Sequence, residues 1–325
     1  VKYLARKVLL YLFIAWAAIT LNFLIPRMMP GDPVAILVEK MNGRVDPDNM
    51  QAIAESFGLT DDPLPVQYWQ YLTNLAHGDL GISIAFNPTP VVDIALGALP
   101  WTLGLVGVTT VISFLLGTAA GVWFAWRRGT WTDFVLPALS FFNAIPYFWM
   151  ALILVLVFSV SLGWFPTSGA YTRGIFPGFT ADFLGSVLYH ATLPALTIVI
   201  SSVAGWVIGM RNMTVTVLGE DYVALAEAKG LPHRTVLMGY GARNAILPSV
   251  TSFALSLGAV VGGSMLTEVI FNYPGVGYTL FQAVDSQDFP LMQGLFLIIS
   301  MAVIVANLIA DLIYVLLDPR TRVEA

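Results

Sequence analysis

Chemistry in a polypeptide needs nucleophiles, bases, metal ligands or phosphate-binding loops at workable spacings, and this chain offers few of them. There is no GxxxxGK[ST] loop, so the chain is not expected to bind and hydrolyse ATP by itself. HExxH and GxSxG are absent as well. The chain has no cysteine, which excludes disulfides, thiolate metal sites and cysteine nucleophiles and leaves the redox compartment unread. Its three histidines, His77, His190 and His233, lie in separate segments. His77 and Asp79 are metal-ligand types, but two donors in a glycine-containing loop more often serve structure, and neither a metal nor a cofactor is expected on this chain.

Two ionisable residues adjoin apolar runs, Glu268 and Asp311. A charge inside hydrocarbon is expensive, and both lie at the ends of their runs, so both are expected to reach interfacial water. No pair of opposite charges sits at one depth within the runs, which argues against a carrier with a midplane ion relay. Nor do the runs hold a convergent catalytic set, so the chain does not read as a membrane-embedded enzyme.

What remains is a charged island, Glu220 to Pro248, between two long apolar segments. Tyr222, Leu225, Ala226 and Lys229 fall at i, i+3, i+4 and i+7, one face of a short helix. Gly230, Leu231 and Pro232 then stop it, because glycine takes the left-handed conformation and proline cannot continue the ladder. From Thr235 to Ile246 the pattern is helical again. The small side chain of Ala226 is expected to let another protein approach closely.

The elements that position this island are apolar. Of 325 residues 57% are hydrophobic and 11% charged, where a soluble domain carries about 25% charged residues. This is the composition of a membrane protein, and the formal charge of -5 gives no reason to expect nucleic acid. Lys2, Arg6 and Lys7 precede an uncharged run from Val8 to Pro26, which as a helix spans roughly 28 Å. Ala15, Trp16 and Ala17 imitate a signal-peptide cleavage site, but the apolar sequence continues past them, so an uncleaved helix is expected.

Residues 27–93 are acidic and rich in proline and glycine, a small extramembrane subdomain with short helices expected over Asp48 to Phe57 and Gln67 to Ala76 and extended chain over Gly81 to Phe86. Five further runs follow, Gly97 to Ala125, Leu136 to Val160, Leu184 to Met210, Leu247 to Thr267 and Leu291 to Ala310, which makes six spans. Gly117 and Gly121 have the GxxxG spacing of close helix packing, and Pro137, Pro146 and Pro194 kink helices or mark their ends. Trp123, Trp126, Trp131 and Trp149 sit where a lipid interface would place them.

Cytoplasmic loops retain Lys and Arg. With the N-terminus inside, Lys2, Arg6, Lys7, Arg127, Arg128, Arg211, Lys229, Arg234, Arg243, Arg320 and Arg322 are cytoplasmic, and only Arg27, Lys40, Arg44 and Arg173 fall outside. Both termini and the island are therefore expected in the cytoplasm.

Five blocks in order now carry a resemblance: PGDPV at Pro30 to Val34, GDLGIS at Gly78 to Ser83, DYVALAEAKGLP at Asp221 to Pro232, TEVIFNYPGVG at Thr267 to Gly277, and LLDPR at Leu316 to Arg320. Along nearly its whole length the chain resembles the B-type transmembrane permease of bacterial binding-protein-dependent ABC importers, in the dipeptide, oligopeptide and nickel branch. The resemblance implies an all-α membrane protein of the type I importer architecture. Six helices would then comprise residues 1–26 as tail and first helix, an extracytoplasmic subdomain at 27–93, and a five-helix core at 94–325 in the bacterial inner membrane.

The island then corresponds to the EAA loop, within a cytoplasmic segment at 213–248, whose short helix docks on a separate ATPase. Ala226 matches the motif's second alanine and Gly230 its glycine, while Ala224 stands where the motif has glutamate and Leu225 where it has its first alanine. Asp221, Tyr222, Leu225, Ala226, Lys229, Gly230 and Leu231 are the residues implied in ATPase coupling. Glu268, Asn272, Tyr273, Pro274 and Gly275 are implied in binding-protein docking or the pore mouth. Implied partners are a second, homologous permease of the C type, two cytoplasmic ATPase subunits or domains carrying ATP and magnesium, an extracytoplasmic binding protein, and lipid. Peptide is the leading substrate, with oligosaccharides, nickel complexes and opines as alternatives. A self-contained secondary carrier is the reading from another class.

Overall fold

Long apolar runs make helices, and in this chain proline and glycine decide where those helices stop. In the computed structural model the described residues are 2–28, 62–86, 88–260, 262 and 264–317. They form α1 (Lys2–Met28), α2 (Leu64–Ala76), α3 (Val91–Thr102), α4 (Val108–Trp126), α5 (Thr132–Ala144), α6 (Tyr147–Leu154) and α7 (Ala181–Leu218). Next come α8 (Asp221–Ala228), α9 (His233–Thr235), α10 (Arg243–Val260), α11 (Met265–Ile270), α12 (Val276–Asp285) and α13 (Phe289–Leu317). Wider π turns occupy Leu103–Gly107, Val155–Ser161 and Val236–Ala242. Among the described residues there is no strand. Ile82 and Pro90 make an isolated bridge, so the extended chain expected over Gly81 to Phe86 is a loop. The PGDPV block, the helix expected over Asp48 to Phe57 and the end of the LLDPR block lie outside the described residues.

Four stretches are long and apolar enough to cross a membrane: Lys7–Ile25, Val91–Trp126, Ala181–Leu218 and Phe289–Ile309. A fifth exists if Thr132–Ala144 and Tyr147–Ser161, which turn through 95° at a short break, form one span. The break has a local cause. Ile145 precedes Pro146 and is held in extended backbone at φ −72°, ψ 124°, because the proline ring excludes the helical conformation from its predecessor. The fifth expected run, Leu247 to Thr267, is divided between α10 and α11, and Ser249, Thr251, Ser252 and Ser256 dilute its apolar character. Length and composition thus give four or five spans among the described residues, short of the six expected.

The chain divides into two compact units. In the first, built from residues up to Thr102 and from the segments 261–265 and 274–305, Phe23 of α1 lies between the rings of Tyr68 and Tyr71 of α2. Tyr68 and Thr20 share a hydroxyl hydrogen bond of 2.7 Å, and Asn22 donates to the Gln293 carbonyl at 2.8 Å. Val91, Ala95 and Ala98 of α3 pack with Leu280 and Ala283 of α12 and Leu291 and Leu295 of α13.

Asp288 closes this core from beneath. It is fully buried, its Oδ1 accepts from Leu291 N at 3.1 Å as the N-cap of α13, and its Oδ2 accepts from Ala85 N at 2.8 Å and from the Ser83 hydroxyl. A carboxylate taken out of water is tolerable only with its oxygens bonded in this way.

In the second unit α4 lies along α7. A Cβ on Gly121 would come within 2.7 Å of Met210 Cβ and of the Val207 carbonyl, and one on Gly117 would collide with Trp206. The GxxxG pair therefore sets the helix separation, as its spacing predicts. Phe114 stacks on Phe253 of α10 at 4.2 Å, and the Ser202 hydroxyl donates to Ser113 at 2.8 Å.

Candidate functional site

The hairpin that follows α7 lies wholly in the second unit. Gly219 ends α7, Glu220 turns extended at φ −78°, ψ 147°, and Asp221 places a negative charge in the first turn of α8, where the helix dipole favours it. Eight residues are too few for a helix to be stable alone, so α8 must be held by packing. It is held by one small apolar cluster: Val223, Ala226 and Val236 are buried together, with Leu218, Leu231 and Tyr240 against them.

The turn closes with a Schellman cap. Gly230 N donates to Glu227 O at 2.8 Å and Leu231 N to Ala226 O at 3.4 Å, with Gly230 at φ +73°. Leu231 then covers Ala226, the apolar contact that accompanies this motif. Pro232 starts the return helix without needing an amide donor. Below, Met210, Ala242 and Ala245 form a second cluster with Val122, Met213, Val217 and Ile246, which seats the hairpin on α7 and α4.

This geometry corrects one expectation. Ala226 is 3% exposed and packs with Val223 and Val236, so its small size serves the hairpin's own closure. The outward face is carried by Asp221, Tyr222, Leu225 and Lys229, all exposed, with Gly230 at its end and Leu231 half-buried. Leu225, at 57% exposure, and Met238, at 54%, are large apolar side chains presented on this hairpin. Tyr222 is held in place, since Asn244 Nδ2 donates to its hydroxyl at 3.2 Å and to the Tyr240 carbonyl at 2.8 Å. Tyr222, Leu225 and Met238 are thus exposed together with the charged Glu220, Asp221, Glu227 and Lys229, the mixture of apolar and charged side chains that protein-docking surfaces use.

The second set of expected site residues is divided between the two units. In the second unit, Asn272 takes the left-handed conformation at φ 46° after α11, Tyr273 N donates to Glu268 O at 2.8 Å, and Gly169 N donates to Phe271 O at 2.8 Å. Only Asn272 is exposed there. Glu268 was expected to reach interfacial water and is instead fully buried, because it lies on the inner side of the short α11. Burial, with the Glu268 carboxyl adding to it, pushes the Tyr273 hydroxyl up to about 12. Pro274 and Gly275 belong to the first unit, where Gly275 precedes α12 and Val276 N donates to Thr102 Oγ1 at 2.7 Å.

His77 and Asp79 are occupied locally, the imidazole Nδ1 paired with Thr73 O at 2.7 Å and the carboxylate accepting from Gly81 N at 2.8 Å. Among the described residues no cluster of three metal-ligating side chains occurs. Sequence reasoning missed Asp288 and Asn244. For Asp288 a signal exists, an Asp followed by Phe289-Pro290 at the head of an apolar run, which is a helix-start pattern.

Residues 117–323 match the family model described as binding-protein-dependent transport system inner membrane component, and residues 1–105 match the corresponding N-terminal model. The chain belongs to this family. It is 35% identical over 319 residues to the oligopeptide transport system permease protein AppB of Bacillus subtilis, covering 98% of each chain. It is also 35% identical to the di/tripeptide transport system permease protein DppB of Pseudomonas aeruginosa, over 99% of this chain and 98% of that one. To the glutathione transport system permease protein GsiC of Escherichia coli K12 the identity is 33%, over 93% of this chain and 92% of that one. As a member of the inner membrane component family the chain is a multi-pass transport permease, and both the hairpin and the Gly117 and Gly121 approach to α7 fall inside the larger matched region.

Proposed function

We propose that this chain is one transmembrane half of an ATP-driven importer that takes up peptides delivered by an extracytoplasmic binding protein. In this reading a second, homologous permease supplies the other half of the path. Two cytoplasmic ATPase subunits or domains hold ATP and magnesium and dock on the 220–248 hairpin. Both termini and the hairpin are cytoplasmic, six helices cross the inner membrane, and residues 27–93 form the outer subdomain. The chain itself catalyses nothing.

The observation that carries the reading is the outward face of α8. Leu225, Tyr222 and Met238 are exposed on a hairpin whose inner residues are fully used in anchoring it to α7 and α10. A lever needs this combination of a rigid root and an apolar tip. ATPase closure would then displace α8, and the clusters beneath it would pass the displacement to α7 and α10, converting an inward-open path to an outward-open one. Support for peptide as substrate is that AppB, DppB and GsiC are named for oligopeptides, di- and tripeptides and glutathione.

The test is purification of the chain from its native membrane in mild detergent, with identification of co-purifying proteins and an ATP hydrolysis assay. Recovery of a second permease and ATPase subunits, with hydrolysis stimulated by a peptide-loaded binding protein, is expected. Recovery of the chain alone, with transport intact in vesicles lacking nucleotide, would overturn the reading in favour of a secondary carrier.

A further inference from the structure

The turn between α4 and α5 joins two apolar segments, the candidate span Val91–Trp126 and the bent pair that begins at Thr132, so it lies where chain leaves and re-enters a membrane. Trp123, Trp126, Trp131 and Phe134 are all exposed around it, Phe134 at 86%. Trp131 meets Trp123 edge to face at 5.8 Å, and the Arg127 guanidinium lies 6.0 Å from the centre of the Trp126 ring.

Charge in this turn is unbalanced. Arg127 and Arg128 are exposed, and among the described residues neither is ion-paired with a carboxylate. The carboxylate nearest in sequence, Asp133, is already committed, with Oδ1 accepting from Arg211 at 2.7 Å and Oδ2 from Gly129 N at 2.7 Å. The turn is also well fixed: Arg127 O accepts from Thr132 Oγ1 at 2.9 Å and from the Thr130 hydroxyl, and Gly129 takes φ +75°.

We propose that the Trp126–Asp133 turn, flanked by Trp123 and Phe134, binds the phosphate headgroup of an anionic phospholipid. The indole rings and Phe134 seat at the level of headgroup and upper acyl chain, as amphipathic and aromatic side chains do at an interface. Two adjacent guanidinium groups, neither ion-paired among the described residues, then meet the lipid phosphate, for which the planar guanidinium fork is well matched. Each arginine near an anionic surface is expected to raise the preference about fivefold. The site adjoins the hairpin, since the Trp126 ring lies 6.4 Å from the His233 imidazole at the start of the return helix. The inference needs only the membrane location, so it stands apart from the choice of substrate.

The test uses the purified transporter in phosphatidylcholine bilayers into which either brominated phosphatidylglycerol or brominated phosphatidylcholine is titrated, with tryptophan quenching as the readout. Comparison with Trp131→Phe isolates the signal of that ring. Quenching of Trp131 by the anionic lipid at several-fold lower mole fraction is expected. The preference should shrink with added salt, vanish in Arg127→Gln/Arg128→Gln, and persist in Arg173→Gln at the loop before α7. Equal quenching of Trp131 by both lipids in the otherwise unaltered protein would overturn the proposal without recourse to a charge variant. So would an undiminished preference in the double glutamine variant.

Discussion

The same backbone device ends several short helices, and at two of them the residues placed on it give it opposite uses. After α8 the left-handed position is Gly230 and the next residue is Leu231, which folds back on Ala226. After α12 the left-handed position is Gln287 at φ 52°, Asp288 N donates to Ala283 O at 2.8 Å, and the next residue is the carboxylate that caps α13. In the first turn the buried content is a few apolar side chains and the outer face is free to meet a partner. In the second, the buried Asp288 carboxyl gathers Ser83, Ala85 and Leu291 and ties the turn into the core. One Schellman cap presents and the other anchors. The chemistry of the residue after the cap decides which.

The anchoring turn should be the more fragile. Asp288→Ala removes the N-cap of α13, worth about 1 kcal/mol, and strands the buried Ser83 hydroxyl at about 1–3 kcal/mol, while the exposed Ala85 amide can turn to water. A loss of about 2–4 kcal/mol is expected, read as a fall in the melting temperature of the detergent-solubilised protein. Melting unchanged from wild type would remove the contrast between the two turns.

At the presenting turn the expected damage is to coupling. Gly230 has open space where a Cβ would go, so Gly230→Val fails only through its left-handed backbone, at about 1–2 kcal/mol. Membrane insertion should survive while transport coupled to ATP hydrolysis falls sharply, and Gly230→Asn should restore most of it, because asparagine tolerates that conformation. If Asn and Val behave alike, strain at residue 230 is not what matters.

Neighbouring residues on α8 sharpen the same point. Ala226→Leu overfills the Val223–Val236 cluster and should destabilise by about 1–3 kcal/mol. Leu225→Asp touches only the outer face and should change stability by about 0.5 kcal/mol or less, yet reduce recovery of ATPase subunits in a pull-down. Equal stability losses at the two positions would mean that α8 has no distinct outer face.

The smallest effect is alkaline. With the Tyr273 hydroxyl raised to about 12, folding favours its protonated form, so its contribution is complete below the ordinary tyrosine value of about 10 and is lost as pH rises through 12. In an ultraviolet phenolate titration the step that Tyr273→Phe removes should lie well above the ordinary tyrosine value of about 10. A step at the ordinary value would show that the loop after α11 opens before its hydroxyl loses the proton.

Much of this contrast was legible before any coordinates. Gly230 followed by Pro232 marks a stop because few other residues serve there, and the Gly117–Gly121 spacing has its meaning wherever two helices cross. The orientation of α8 was not legible. Tyr222, Leu225, Ala226 and Lys229 do share an arc, but in a helix of two turns the choice of buried face rests on Val223, and its partner Val236 lies thirteen positions away in the chain. Glu268 misled for a related reason: an acid near the end of an apolar run reads as interfacial until the fold turns that helix inward. The spans were legible as runs of composition, and the break at Ile145–Pro146 lies inside one of them. A proline rule locates such a break but does not give its angle.

The π turn between Thr235 and Arg243 bears on what lengths of chain this segment tolerates. Buried positions recur every five residues within it, Val236 to Gly241 and Leu237 to Ala242, and every four beyond it, Gly241 to Ala245. A wide turn of this kind is a one-residue insertion already absorbed by a helix. Deleting one exposed residue there, Met238 or Gly239, would return the turn to ordinary α spacing and keep both buried faces in phase. The same deletion two turns further along α10 would rotate everything beyond it by about 100°.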